Sequence, residues 1–220
     1  DGTLKNSNTT CLNGRPVHAD LERRLGMPVR LENDANCFAL AEARGGAALG
    51  HGLVFGVILG TGVGGGLVID GRVWTGPQHI AGEWGHHAID PAGPACYCGQ
   101  RGCVETFLSG PALEAAYRAA GGPAAPAAEI AGRAAAGEAT AAAVMERYLD
   151  CFGRALANVI DILDPDAVVL GGGLSNLDVL YTRGRDAVAR YVFNDELRTP
   201  IVPNRLGDSA GVIGAALLTV

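Results

Sequence analysis

The run Leu53-Val54-Phe55-Gly56-Val57-Ile58-Leu59-Gly60-Thr61-Gly62-Val63-Gly64-Gly65-Gly66-Leu67-Val68-Ile69 decides the fold. Its first seven residues are almost continuously apolar and read as a buried strand. A second apolar stretch, 67–69, follows the glycines, and Asp70-Gly71 supplies a turn into 72–74, which reads as a hairpin. Gly60, Gly62 and Gly65 satisfy GxGxxG, but a dinucleotide fingerprint must lie between a strand and a helix. Here a strand follows, so that reading fails, and no Lys-Ser/Thr follows to make a Walker A loop. What remains is a backbone-rich turn between two strands. Its N–H groups can approach phosphate oxygens because no Cβ intervenes. A tight hairpin that needs glycine for geometry alone explains the same residues.

Downstream, Ser109-Gly110-Pro111 starts a helix, and alanine-rich helical segments follow, broken near 121–126. A longer helix is predicted over 139–163, with Met145, Leu149, Phe152, Leu156, Val159, Ile160 and Leu163 stepping by three and four; Asp164-Pro165 ends it. Residues 167–170 read as a short buried strand running into Gly171-Gly172-Gly173-Leu174-Ser175-Asn176, which opens a helix over 177–191. That placement suits a flat or anionic ligand at a helix N-terminus, and a purely structural strand-to-helix turn explains it equally. Upstream, a strand over 29–31 leads through Asn33-Asp34 into a helix over 35–44 that stops at Gly45-Gly46. A closing helix follows Asp208-Ser209. Strands alternating with helices imply an α/β architecture.

Composition narrows the function classes. The chain has 220 residues, 48% hydrophobic, 18% charged and 5% aromatic, with a net charge of −6. It is too apolar for a disordered chain, and no run approaches a membrane span. The acidic balance and absence of a basic block argue against a nucleic-acid surface. Six cysteines are too few for a disulfide scaffold, and Cys96, Cys98 and Cys103 crowd together while Cys11, Cys37 and Cys151 stand apart. That clustering favours a metal in a reducing compartment, so the cytoplasm is expected.

The cluster offers three soft ligands, and Glu83-Trp84-Gly85-His86-His87 is the nearest source of a fourth. His86 with three thiolates makes a Cys₃His set typical of closed structural zinc, with His87 the alternative ligand. His18, His51 and His79 have no ligand company. Asp34 has two readings: with Asn33 it is a cap for the following helix, or it is a carboxylate at a strand end able to act as general base on a hydroxyl. Glu83 and Glu105 flank the cysteines, and a metal would carry them close to it.

The stretches 31–37, 60–66, 82–86, 96–105 and 171–175 together resemble the ROK family (repressors, open reading frames and kinases) of the actin/hexokinase/Hsp70-like superfamily. The E-x-G-H and C-x-C-G-x-x-G-C-x-E combination is highly specific. Within the family the chain most resembles bacterial fructokinases of the manno(fructo)kinase type, on 96–98, 105–107, 175–178 and 207–212. N-acetylglucosamine kinases share 34–42 almost as well. The resemblance implies a ribonuclease H-like, two-domain sugar-kinase fold and ATP-dependent phosphorylation of a hexose, fructose 6-phosphate being the product for a fructokinase.

The resemblance also implies roles. Asp34 would be the catalytic base, and Asn8, Asn33, Glu83, His86 and Glu105 would hold the sugar hydroxyls. Gly60, Thr61, Gly62 and Gly64 would contact the ATP phosphates, with Gly171, Gly172, Gly173 and Ser175 near the adenosine. His86, Cys96, Cys98 and Cys103 would hold a structural zinc, and Mg²⁺ would accompany ATP. A homo-oligomer, a dimer, is expected. The family's other phosphate loop, D-x-G-G-T-K, is absent with its strands, so a fragment, inactive alone, is expected. Residues 1–50 and the closing helix 209–220 would then belong to a small domain, and 51–208 to a larger domain carrying zinc and much of the nucleotide site. Two rivals remain: a ROK transcriptional repressor, and a zinc-stabilised sugar-binding protein without catalysis.

Overall fold

The computed structural model describes residues 3–5 and 9–218. After a first helix, α1 (Val17–Leu25), the chain runs α2 (Asp34–Gly45), β1 (Leu53–Leu59), β2 (Val63–Ile69), β3 (Arg72–Val73), α3 (Glu105–Leu108), α4 (Gly110–Ala119), α5 (Ala127–Ala135), α6 (Ala139–Leu163), β4 (Ala167–Gly171), α7 (Arg183–Ala189), β5 (Ile201–Pro203) and α8 (Ala210–Leu217). The five strands form one mixed sheet in the order β3-β2-β1-β4-β5. β1, β2 and β3 are antiparallel neighbours, and β4 and β5 continue the sheet parallel to β1.

The apolar run of β1 is explained by helices on both faces. Phe55, Val57 and Leu59 enter a core shared with α4, α5, α6 and α7. Val54 and Ile58 face a second core with α2 and α8. β4 alternates likewise, Val168 and Leu170 on the first side, Ala167 and Val169 on the second. The alternation places both layers on one sheet.

Helix α2 sits very close to this sheet because small residues meet there. A Cβ on Gly66 would lie 2.4 Å from the Ala35 carbonyl oxygen, and one on Gly56 2.6 Å from the Ala39 Cβ. Gly64 faces Ala35 in the same way, at 3.1 Å. On the far side of α2, Gly214 of α8 leaves room for the Cys37 carbonyl. The fully buried Glu42 fastens the other end of α2. Its carboxylate accepts from the backbone N–H groups of Ala47 (2.7 Å), Leu206 (2.8 Å) and Arg205 (3.1 Å).

Several elements follow the sequence reading. β1, α6 and β4 lie where the hydrophobic pattern puts them, Ser109 caps α4 by accepting from Ala112 N–H, and Asp70-Gly71 turns the hairpin with both residues at positive φ. Three readings are corrected. The 60–66 segment is a turn only as far as Gly62; Gly64, Gly65 and Gly66 are paired within β2, opposite Ile58, Val57 and Gly56. Residues 29–31 form no strand: the Val29 N–H donates to Glu22 Oε1 and its carbonyl pairs with the His18 ring, so side chains of α1 take the groups a ladder would need. The helix expected over 177–191 is broken into 3₁₀ turns at Gly173–Asn176 and Asp178–Leu180 before α7, with Thr182 outside helical geometry. Among the described residues, no helix is long and apolar enough to cross a membrane.

Candidate active site and metal centre

The two glycine segments converge. Gly60-Thr61-Gly62 follows the carboxyl end of β1, and Gly171-Gly172-Gly173 ends β4, its parallel neighbour. In an open α/β sheet the crevice beyond the carboxyl ends of parallel strands is where ligands bind. Gly172 (φ 79°) passes so close to β1 that a Cβ would meet the Leu59 carbonyl at 2.4 Å, and one on Gly171 would meet Phe38 at 2.5 Å. Gly60 and Gly173, by contrast, have nothing within 4 Å of where a Cβ would stand. Each run therefore mixes glycines demanded by packing with one that leaves backbone uncovered. The N–H groups of Thr61 and Gly62 have no hydrogen-bond partner among the described residues. The Gly60 carbonyl accepts from Gly110 N–H at 2.8 Å, which ties the turn to the start of α4. Ser175 is buried and its hydroxyl is committed to the Gly172 carbonyl at 2.7 Å, with Asn204 Nδ2 donating to it at 3.2 Å.

Asn33 and Asp34 divide the two readings offered for them. Asn33 is the cap of α2: its side chain accepts from Ala35 N–H at 2.8 Å and Asn36 N–H at 3.3 Å. Asp34 is the first helical residue and exposed, and among the described residues its Oδ1 accepts from its neighbour Ala35 N–H alone. A carboxylate there is favoured by the helix dipole. Because α2 rests on Gly64 and Gly66, this end of the helix lies over the strand that leaves the 60–62 turn.

Glu105, first residue of α3, reaches the same turn. Its Oε2 accepts from Val63 N–H at 2.8 Å, and a Cβ on Gly62 would sit 2.6 Å from that oxygen. Glu83 and His86 come from a 3₁₀ turn, Trp84–His86, wedged under β2. Gly85 passes Val63 at a distance no Cβ would allow, and the buried Trp84 donates its Nε1–H to the Ala155 carbonyl at 3.0 Å. With Trp84 and Gly85 inside, Glu83 is left exposed and His86 half-buried. Asn8 lies outside the described residues.

The ligating atoms of His86, Cys96, Cys98 and Cys103 all lie within 4.8 Å of one another. Cys96 Sγ is 3.5 Å from His86 Nδ1, and Cys98 Sγ is 3.6 Å from Cys103 Sγ. Zinc–sulfur bonds of roughly 2.3 Å and zinc–nitrogen bonds of roughly 2.0–2.1 Å in a tetrahedron require ligand separations of roughly 3.5–3.8 Å. The donor set fits zinc. Burial and the adjoining thiols of Cys98 and Cys96 push the Cys103 thiol up to about 12, whereas a backbone hydrogen bond at Gln100 lowers Cys98. Three thiolates share this space only if a cation offsets their charge. His87 is no part of the set: its Nε2 pairs with Asn158 at 3.3 Å. The loop is closed by Gly99 and Gly102, both at positive φ, and a Cβ on Gly102 would overlap the Asp90 carbonyl. Cys103 hands the chain to Glu105 through Val104, so the cysteine loop and the glycine turn are joined by one residue's reach.

The sequence reading missed two residues. Glu42, inside the helix read over 35–44, was not singled out and is buried; Gly46, where a Cβ would collide with its carboxylate, was the available signal. Tyr97, between two cysteines, holds the second nitrogen of His86: its hydroxyl lies 3.0 Å from Nε2.

With this geometry in hand, the profile of the ROK family matches residues 1–220. The chain belongs to the ROK family. Among curated relatives it is similar to the N-acetyl-D-glucosamine kinase of Escherichia coli (strain K12), 42% identical over 228 residues, covering 99% of this chain and 75% of the relative. Among solved structures it is similar to a ROK hexokinase from Thermus thermophilus, at 38% identity and TM-score 0.85, covering 94% of this chain and 70% of that one. A ROK family glucokinase from Streptomyces griseus in complex with glucose and AMPPNP matches at 30% and 0.83, covering 94% and 73%. A ROK family transcriptional regulator, a homologue of the E. coli MLC protein, matches at 29% and 0.80, covering 92% of this chain and 54% of that one. The fold is thus the actin/hexokinase-like one, and the chain is a homologue of sugar kinases. The curated relative bears the name of the alternative weighed above, not of fructokinase.

Proposed function

We propose that the protein is an ATP-dependent hexose kinase acting on N-acetylglucosamine. The carrying observation is the placement of Asp34: exposed, relieved of capping by Asn33, and set over the strand that leaves the 60–62 turn. On this reading Asp34 takes the proton from the sugar hydroxyl as its oxygen attacks the γ-phosphate. Asn33, Glu83, His86 and Glu105 hold the other hydroxyls, with Asn8 contributing from the first loop. The backbone at Gly60, Thr61, Gly62 and Gly64 holds the phosphates, and Gly171, Gly172, Gly173 and Ser175 border the adenosine. Such sites act mostly by positioning and by neutralising charge, and Mg²⁺ bound with ATP would supply part of that neutralisation. Zinc in the Cys₃His set would be structural, keeping His86 and Glu105 in register. The family resemblance supports a homodimer, and the free thiols support a reducing, cytoplasmic setting.

The likeness to a transcriptional regulator favours a second reading, a sugar sensor without phosphoryl transfer. Asp34→Asn in the full-length protein separates the two. It is expected to lower kcat by about 10²–10⁴-fold, the usual share of a general base, with sugar KM largely kept. Unchanged turnover would remove Asp34 from the role. Absence of turnover in the unmodified protein, together with tight sugar binding, would favour the sensor.

A further inference from the structure

Asn36, on the first turn of α2, is 5% exposed, and its Oδ1 has no hydrogen-bond partner among the described residues. A buried carbonyl oxygen left unpaired is rare and calls for a reason. The other end of the amide supplies it. Nδ2 donates to Glu32 Oε1 at 2.9 Å, and an ionised carboxylate can only accept, so the amide nitrogen must face Glu32 and the oxygen is left buried without a donor. The same Glu32 oxygen accepts from Asn33 N–H, also at 2.9 Å. In an ordinary capping box the residue three places beyond the cap bonds the cap's N–H itself. Here Asn33 is the cap, Asn36 occupies that third place, and Glu32 stands between them.

Asp34 lies inside this loop of bonds. Glu32 holds the Asn33 N–H, the N–H groups of Ala35 and Asn36 hold its side chain at 2.8 and 3.3 Å, and Cys37 N–H holds its carbonyl at 3.0 Å. Little freedom remains in the backbone from which Asp34 departs. Asn36 is anchored in turn, because its Cα packs so closely on β2 that a Cβ on Gly66 would sit 2.8 Å from it. A continuous tether therefore runs from β2 through Asn36 and Glu32 to Asn33.

We infer that Asn36, acting through Glu32, is a positioning residue for Asp34: the pair fixes the Asn33-Asp34 backbone so that the Asp34 carboxylate meets the attacking hydroxyl in one orientation. This rests on the hexose-kinase reading, in which Asp34 is the base. The unpaired Oδ1 separates this role from a structural one, since a residue kept for stability loses stability on removal. Alanine at 36 deletes the orphaned oxygen together with the bond to Glu32 and suits a helix better than asparagine, so the fold should not weaken.

The test is Asn36→Ala and Glu32→Ala, singly and together, in the full-length, zinc-loaded protein with ATP, Mg²⁺ and N-acetylglucosamine, glucose, mannose or fructose. Either single variant is expected to lower kcat about tenfold with sugar KM within about twofold, a displacement on the order of 1 Å at a reacting group being worth up to roughly 10²-fold. The double variant should be no slower than the slower single one, because the two side chains make one tether. Glu32→Gln keeps an acceptor oxygen and should retain more turnover than Glu32→Ala. Asn36→Ala should melt at or above the temperature of the unmodified protein. Unchanged kcat in either single variant overturns the inference, as do losses that multiply in the double variant. A loss in Asn36→Ala accompanied by a lower melting temperature or failure to fold also overturns it, making Asn36 a support of the helix. Where the unmodified protein turns over, these outcomes judge the tether alone. If it transfers phosphate to none of the four sugars, the kinase reading falls and the positioning role falls with it.

Discussion

Replacing Gly66 with alanine tests why the glycine run is glycine. A Cβ there would lie 2.4 Å from the Ala35 carbonyl oxygen and 2.8 Å from both the Ala35 carbonyl carbon and the Asn36 Cα. All three are backbone atoms of α2, so no side-chain rotation relieves the overlap and the helix itself must move off the sheet. Overpacking a close-packed interior costs roughly 1–3 kcal/mol, and a backbone clash belongs at the upper end, about 3 kcal/mol. For a chain of this size each kcal/mol shifts the melting temperature by roughly 2–4 °C, so a drop of about 6–12 °C is expected. The matched control is Gly60→Ala, where no atom lies within 4 Å and φ is not positive. It should melt within about 2 °C of the unmodified protein while raising the KM for ATP. Thermal denaturation followed by circular dichroism, with ATP kinetics on both variants, reads the contrast. If Gly66→Ala melts with the control, α2 is not held by this contact, and the placement of Asp34 loses its physical basis.

Other outcomes follow from the same geometry. Chelation of the metal should expose Cys96, Cys98 and Cys103 to a thiol reagent that otherwise finds Cys11 first, while Cys37, buried on α2, reacts only on unfolding; a thiol count unchanged by chelation would contradict the Cys₃His assignment. Glu42→Gln replaces one acceptor oxygen with a donor facing backbone N–H groups, and should destabilise by about 2–3 kcal/mol in denaturant melts; a neutral result would mean the 205–206 loop does not depend on that carboxylate.

The extent to which these features were legible in the sequence depended on how local their causes are. β1 and α6 are set by their own apolar periodicity, and α4 by a serine cap and a following proline, so they could be read directly. The Cys₃His cluster was legible because cysteine spacing in a loop needs no distant partner; the spacing left His86 and His87 open, the resemblance named His86, and the geometry brings His86 to the sulfurs. The end of the 60–66 turn was not legible, because Gly64, Gly65 and Gly66 are strand residues made small by a helix nearly thirty positions upstream. The false strand at 29–31 has the right composition but no ladder partner, its polar groups being served by His18 and Glu22. Asp34 itself could be nominated from sequence; that Asn33 does the capping and leaves it exposed is a matter of side-chain direction. Tyr97 was hidden for the same reason, since nothing in a C-x-C spacing says where x points.

The central claim is phosphoryl transfer to a hexose, and ADP release by the full-length, zinc-loaded protein with ATP and Mg²⁺ tests it most directly. Across N-acetylglucosamine, glucose, mannose and fructose, turnover is expected, highest with N-acetylglucosamine. Turnover led by fructose would keep the mechanism and restore the fructokinase expectation. No ADP above the sugar-free background with any of the four would contradict the account.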